Sequence, residues 1–337
     1  MSIPQTMQAF FIEEAGGPFV ARVIPIPVPG PNEVLVKIAA SGVNPLDIKI
    51  RQGKAPHARH NLPAVLGLDM AGTVVTVGSD VTRFKPGDGV FGMTGGVGGI
   101  QGSLAEYAAV DADLLAHKPS GLNIREAAAL PLVFITAWEG LVDRAKVGPG
   151  KKVLVHGGAG GVGHIATQIA RAHGAEVFAT VSYSDMEIAA EFGAVPINYE
   201  TESVDSYVQK HTQGDGFDIV YDTVGGPTLD ASFAVARIYH GHVVSCLGWG
   251  THALAPLSFR GATYSGVFTL LPLLAGLGRF HHGEILAEAA RMVDAGKLKV
   301  RLDSQHFSLG EVAAAHVLVT SGNAKGKVVV NLSNESD

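Results

Sequence analysis

The stretch Val153-Leu154-Val155-His156-Gly157-Gly158-Ala159-Gly160-Gly161-Val162-Gly163 restricts what this chain can fold into more than any other. A short apolar run at 153–155 ends in glycines and passes into residues 164–173, where Ile165, Ile169 and Ala172 repeat at helical spacing. Strand, tight turn and helix follow one another, and Gly158, Gly160 and Gly163 read G-x-G-x-x-G. In such a turn the first glycine lets the chain reverse, and the second lets backbone N–H groups approach a pyrophosphate. The third lets the helix pack closely on its strand, while the helix N-terminus offers unpaired donors and partial positive charge. A chain with 43 glycines produces this spacing by chance, so its weight comes from the strand before it and the helix after it. The expected ligand is a dinucleotide, held by Gly158, Ala159, Gly160, Gly161, Val162 and Gly163; the plainer alternative is a structural strand–helix corner.

The pattern on either side of the turn sets the domain plan. Residues 7–130 are β-rich, with strands at 34–38 and 72–78 and a turn at 85–88 feeding a strand at 89–91. Residues 92–102 hold six glycines in eleven positions and read as a flexible loop, either a surface connection or a mobile cover over a site. From Ile124 to Leu141 the spacing is helical. Strands and helices then alternate: strand 176–181 with helix 185–192, strand 195–199 with helix 202–211, strand 217–222 with helix 227–238, then strand 242–247. Such alternation means right-handed crossovers and a parallel sheet covered on both faces, with its ligand at the C-terminal strand ends. Later come strand 262–268, helix 281–295, strand 299–302, helix 309–320 and strand 327–331. The expected fold is α/β, a doubly wound Rossmann domain at 128–260 inserted into a β-rich domain made of 1–127 and 261–337. The cleft between the two is the expected substrate site.

Composition narrows the function. The chain has 337 residues, enough for two domains whose cores need no disulfide or metal staple. A net charge of −6 without a Lys/Arg cluster argues against nucleic acid or an anionic membrane as partner. The single cysteine, Cys246, rules out a Cys-rich zinc site, and the fourteen histidines show no ligand spacing. Residues 1–17 have no basic start and carry Glu13 and Glu14, unlike a signal peptide. Residues 261–278 are uncharged, but their glycines, Pro272 and hydroxyl side chains fit a buried strand and partner-facing segment better than a membrane span. A cytoplasmic protein is expected.

Seven further segments now matter together: Ser41-Gly42-Val43-Asn44-Pro45-Leu46-Asp47, Leu66-Gly67-Leu68-Asp69-Met70-Ala71-Gly72, Phe84-Lys85-Pro86-Gly87-Asp88, Gly102-Ser103-Leu104-Ala105-Glu106-Tyr107, Thr136-Ala137-Trp138, Asp222-Thr223-Val224-Gly225-Gly226 and Gly322-Asn323-Ala324-Lys325-Gly326-Lys327-Val328. With the glycine turn, they make the chain resemble the medium-chain dehydrogenase/reductase superfamily over nearly its full length. Its zinc-free quinone oxidoreductase branch, the zeta-crystallin-like one, is the nearest match. The resemblance implies a GroES-like domain from the two terminal parts, a Rossmann domain between them, NADPH-linked reduction and a homodimer. In the superfamily's zinc alcohol dehydrogenases a Cys stands at the position of Asn44 and a His-Glu pair at Leu68-Asp69. Those thiolate and imidazole ligands are missing here, so no catalytic zinc is expected. Without a Lewis acid an ordinary ketone is hard to polarise. A quinone or an α,β-unsaturated carbonyl delocalises the arriving charge itself, and these are the expected substrates.

The resemblance also assigns residues, each with a plainer structural reading beside it. Asn44 contacts the nicotinamide ribose or the substrate oxygen, or it stabilises the turn before Pro45. Thr136 contacts the nicotinamide, or is an ordinary helix residue. Val224, Gly225, Leu247, Phe268 and Asn323 complete the cofactor site. Asp47 orients its loop or relays a proton. Lys49, standing where many relatives carry a Tyr, steadies a hydroquinone oxygen or enolate, or is simply solvated. An NAD site usually has a carboxylate about twenty residues beyond the glycines, on the ribose 2′-OH. Here register puts neutral Thr180 there, followed by Ser182, with Tyr199 capping the next strand, and hydroxyls of this kind tolerate a 2′-phosphate. NADPH is therefore expected over NADH. Asp185 stands where the family often places a Lys; turned toward the ribose it would favour NADH, and otherwise Ser184 or Asp185 caps a helix. Two other functions fit less of the sequence: an enoyl-thioester reductase, for which no basic carrier-binding patch is evident, and a non-catalytic NADPH-binding protein. No Tyr-x-x-x-Lys pair is present, which argues against the short-chain dehydrogenases.

Overall fold

Val34, Val36 and Ile38 alternate inward along one long strand, Glu33–Val43, and pack with Met70, Val74, Val90 and Val110 into a core. In this computed structural model, which describes residues 3–332, that strand is the spine of a seven-stranded sheet. It pairs antiparallel with Asp69–Val77 along one side, and with Tyr107–Asp111 and Val328–Asn331 along the other. The return of residues near the C-terminal end to a sheet begun at residue 33 makes this unit discontinuous, Met1–Leu132 together with Leu270–Asp337. The expected changeover at 127/128 shifts to 132/133 for a local reason. Helix Ile124–Ala129 lies so close on the spine that a Cβ at Gly42 would sit 2.3 Å from the Ala128 carbonyl oxygen.

The second unit, Val133–Thr269, holds the parallel sheet. Its strands are β1 (Lys152–His156), β2 (Glu176–Val181), β3 (Val195–Asn198), β4 (Ile219–Asp222), β5 (His242–Ser245) and β6 (Thr263–Gly266). They run in the order β3-β2-β1-β4-β5-β6. All neighbours are parallel, and the order reverses between β1 and β4, where such sheets take their ligand. Because β6 pairs with β5, the second expected boundary, 260/261, moves to 269/270. Helix α1 (Gly161–Ala172) follows β1 and buries Ile165, Ala166, Ile169 and Ala170.

Three other expectations change. Residues 92–97 are buried rather than a loose loop: a Cβ at Gly95 would overlap the Gln101 carbonyl, and one at Gly96 the Gly67 backbone. The glycines there permit close backbone approach rather than freedom. The strand at 299–302 is reduced to one bridge between Leu302 and Lys327. The helical run from 124 to 141 breaks at Pro131, whose ring cannot continue the first helix, into Ile124–Ala129 and Pro131–Trp138. It then widens into a π-turn, Glu139–Arg144, where Gly140 lies against the Tyr221 ring.

One packing detail has a pH signature. His316, on helix Val312–Thr320, is buried edge-on to Phe19 at 5.1 Å, and the Arg51 guanidinium lies over the Phe19 ring at 4.6 Å. Burial, with help from Arg51, pushes the imidazole down to about 4. The folded state therefore holds His316 neutral, so its contribution is complete above the unfolded value of about 6.5 and is lost as pH falls towards 4. Between pH 7 and pH 5 the wild type should lose about 2 kcal/mol that a His316→Gln variant keeps. Parallel pH dependences of Tm for the two proteins would refute this.

Candidate functional site

The glycine turn begins where β1 ends. Gly157, at φ +70°, reverses the chain, and the N–H groups of Gly157 and Gly158 both donate to the Thr180 carbonyl at 3.1 and 3.2 Å. The turning glycine is thus Gly157 rather than Gly158, a left-handed φ that spacing alone does not reveal. Gly158 is needed for another reason, since its Cβ would lie 2.4 Å from that of Ala179. At Gly163 a Cβ would lie 2.0 Å from the Gly157 carbonyl oxygen, so the third glycine is what seats α1 on the turn. Ala159 is buried, Val162 half-buried, and Gly160 and Gly161 exposed, at a helix end whose first N–H groups have no partner within the helix. The residues fit a pyrophosphate.

Neighbouring strand ends surround this turn. Thr180 is buried, and its hydroxyl meets His156 Nδ1 at 3.0 Å. It therefore faces the adjacent strand, because β2 runs on to Val181 and the first residue beyond the sheet is Ser182. Ser182 Oγ bonds the Asp185 carboxylate at 3.2 Å and Ser184 Oγ at 3.0 Å. Tyr183 and Tyr199 are exposed, and the Tyr183 N–H donates to Glu200 at 3.2 Å. The loops after β2 and β3 thus carry hydroxyls together with the carboxylates of Asp185, Glu200 and Glu202, of which the two glutamates escaped the sequence reading.

Beyond β4, Asp222 is wholly buried and accepts from the N–H groups of Val224 (3.1 Å) and Gly225 (2.9 Å) and from Ser245 Oγ (2.7 Å). Gly225 adopts φ +79° and lies against the Leu247 carbonyl, while the Leu247 N–H donates to Ser245 Oγ at 3.0 Å. Asp222 and Ser245 therefore set the shape of the Val224, Gly225 and Leu247 segment; the sequence marks Asp222 only as the head of a matching segment and Ser245 not at all. His156 is buried beside them, its imidazole pushed down to about 4 by burial against the pull of Asp222. Phe268 meets Trp249 edge-on at 6.1 Å, and the buried Thr136 accepts at its carbonyl from Tyr221 Oη at 2.6 Å.

The first unit contains a different constellation. Asn44 precedes helix Pro45–Arg51 and donates its N–H to Asp47 Oδ2 at 2.8 Å, while Asp47 Oδ1 takes the Leu68 N–H at 3.1 Å. The Asn44 carboxamide donates to Asp69 Oδ2 at 2.9 Å and accepts from the Lys327 ammonium, which also reaches the Val43 carbonyl at 3.2 Å. Asp69 also accepts from the Leu132 N–H at 2.9 Å. All four side chains are buried, with Asn44 only 1% exposed. Burial pushes the Asp47 carboxyl up to about 6 and that of Asp69 higher still, with Lys327 opposing both, and burial pulls the Lys327 ammonium down. Lys49 is exposed on the helix and Asn323 exposed in the loop after Val312–Thr320, and neither joins the network.

At the positions where the resemblance puts zinc ligands stand an amide, an apolar Leu68 and one carboxylate, with an ammonium already against the amide. This donor set does not fit a tetrahedral zinc, which needs thiolate, imidazole or several carboxylate ligands and no competing cation. Among the described residues no three His, Cys, Asp or Glu side chains are grouped to hold a metal, and no helix is long and apolar enough to cross a membrane.

A nucleotide-type parallel sheet set into a GroES-like domain defines a dehydrogenase/reductase class, and comparison with known proteins agrees. Residues 30–120 match the alcohol dehydrogenase GroES-like domain, and residues 192–330 match the zinc-binding dehydrogenase family. The chain is 37% identical to the 2-methylene-furan-3-one reductase of Solanum lycopersicum and 36% identical to the chloroplastic NADPH-dependent alkenal/one oxidoreductase of Arabidopsis thaliana, each match spanning 98% of this chain and 80% of the relative. Among solved structures, an alcohol dehydrogenase superfamily protein from Novosphingobium aromaticivorans is 57% identical with a TM-score of 0.95, covering 97% of this chain and 100% of that one. The quinone oxidoreductase from Coxiella burnetii is 30% identical with a TM-score of 0.82 over the same shares. The chain belongs to the medium-chain dehydrogenase/reductase superfamily. It is an oxidoreductase of the quinone oxidoreductase-like kind.

Proposed function

We propose that this protein reduces quinones and α,β-unsaturated carbonyls with NADPH and without zinc. The observation that carries the reading is the Lys327–Asn44–Asp69 contact set, which leaves no Lewis acid to polarise a plain ketone and so favours acceptors that delocalise charge themselves. The names of the relatives support it, two being reductases of conjugated carbonyls and one a quinone oxidoreductase. NADPH, when bound, supplies a hydride to the acceptor. The backbone of 158–163 and the α1 N-terminus hold its pyrophosphate, and Val224, Gly225 and Leu247 border it beyond β4 and β5. The Ser182 and Tyr199 hydroxyls take the adenosine end, with Asp185 held back from it by Ser182. Asn44, its carboxamide set by Lys327 and Asp69, meets the ligand from the first unit, and Asp47 positions its loop. Solvent supplies the proton.

The test is oxidation of NADPH and of NADH, followed by nicotinamide absorbance, with simple quinones, enones, enoyl thioesters and plain ketones. Turnover with quinones and enones, a lower KM for NADPH and no loss on adding a zinc chelator are expected. A lower KM for NADH would remove the cofactor assignment. Turnover confined to thioesters would replace the substrate class, and silence across the panel would leave a nucleotide-binding protein.

A further inference from the structure

Lys327 enters the first unit just before strand Val328–Asn331, which pairs with the end of the spine, so that residue 328 stands opposite Val43. The pairing carries a buried ammonium to Asn44, 283 residues away in sequence. The Asn44 carboxamide then lies between a group that can only donate and a carboxylate that accepts. Only one orientation satisfies both, with oxygen toward Lys327 and nitrogen toward Asp69. A flipped amide would set NH₂ against ammonium and carbonyl against carboxylate, forfeiting two charge-assisted bonds where water cannot replace them. Asp47 meanwhile holds the Asn44 backbone N–H. Backbone and side chain of this one residue are thus fixed by three charged groups, Asp47 on the first and Lys327 with Asp69 on the second.

We propose that Lys327 is a positioning residue, the fixed internal cation that locks the Asn44 carboxamide in one orientation, oxygen toward Lys327 and nitrogen toward the carboxylates of Asp69 and Asp47. The ammonium takes over the ordering task that a bound metal would perform among these residues, and Asp69 is its counter-charge. The role rests on the reductase reading only in supposing that the locked amide meets a ligand.

The experiment compares the wild type with Lys327→Met, Lys327→Arg and the double variant Lys327→Met/Asp69→Asn. Asparagine side chains are labelled with ¹⁵N and followed by solvent exchange of the carboxamide signals, alongside kcat, KM, nucleotide Kd and Tm. In the wild type the Asn44 pair should exchange slowly. In Lys327→Met the protection should vanish and kcat fall on the order of tenfold or more, as a mispositioned contact does, while nucleotide Kd stays essentially unchanged. Lys327→Arg should retain both protection and most of kcat. The double variant, which removes a buried charge of each sign, should recover Tm but neither protection nor kcat, and it serves if the single variant does not fold. Wild-type exchange and kcat in Lys327→Met, or recovery of kcat along with Tm in the double variant, would overturn the proposal. A wild type without turnover on any acceptor would sink the reductase reading instead, and the exchange measurement would still decide the role of Lys327.

Discussion

A Gly163→Val variant is expected to lose measurable nucleotide binding and to melt well below the wild type. The added Cβ would lie 2.0 Å from the Gly157 carbonyl oxygen, 2.8 Å from its carbon and 2.9 Å from the Gly158 Cα. All three are backbone atoms, so no rotamer change relieves the overlap and α1 itself must lift from the turn. Overpacking of this kind costs about 1–3 kcal/mol even where side chains can yield. Binding suffers more, because the donors that hold the pyrophosphate belong to the helix end being displaced. Losing two charge-assisted bonds at about 1.5–3 kcal/mol each weakens affinity by roughly a hundredfold or more. Gly160→Ala is the control: its Cβ would stand 3.2 Å from the same Gly157 oxygen, a contact that small shifts relieve. Nucleotide titration and thermal melts check both, and near-normal Kd for Gly163→Val would show that the turn is not the cradle.

The second large effect is expected at Asp222. Replacing it by Ala strips the acceptor from Val224 N–H, Gly225 N–H and Ser245 Oγ at a fully buried position. Each orphaned donor costs about 1–3 kcal/mol, and losses of about 3–5 kcal/mol are usual when a buried charged partner is removed. Asp222→Asn keeps an oxygen for the two backbone donors and turns its NH₂ to the Ser245 hydroxyl, which can accept, so its cost should be nearer 1 kcal/mol. Because Gly225 and Leu247 take their places from this cluster, Asp222→Ala should also weaken nucleotide binding beyond what its lower stability explains. Denaturant unfolding with nucleotide titration separates the two effects. Equal stability of the two variants would show that the hydrogen bonds are not what Asp222 supplies.

What could be read beforehand was whatever has a short period. The strand–turn–helix at 153–173 and the alternation after it repeat within a few residues, so the parallel sheet was visible, and so was the insertion of one domain into another. Contacts between distant residues leave no such trace. Asp69 meets Asn44 across 25 positions and Lys327 meets it across 283, and nothing local distinguishes Lys327 from a solvated lysine opening a strand. At Thr180 spacing gives the end of the strand but not the partner: its hydroxyl meets His156 on the neighbouring strand. Glycine density misled at 92–97, because a small residue is equally the mark of a free loop and of two backbones pressed together. Gly157 was passed over because φ is not written in spacing.

The pairing of Val328–Asn331 with the end of the spine also bears on how the protein is made. A ribosome will have extruded more than three hundred residues before that strand and Lys327 leave the exit tunnel. Until then the spine's 40–43 edge lacks this partner, and the carboxylates of Asp47 and Asp69 lack their cation. The nascent first unit is thus held open at one seam throughout synthesis of the second. Translation that stops short of residue 327 should therefore leave the first unit unsealed along that edge, open to chaperones and proteases.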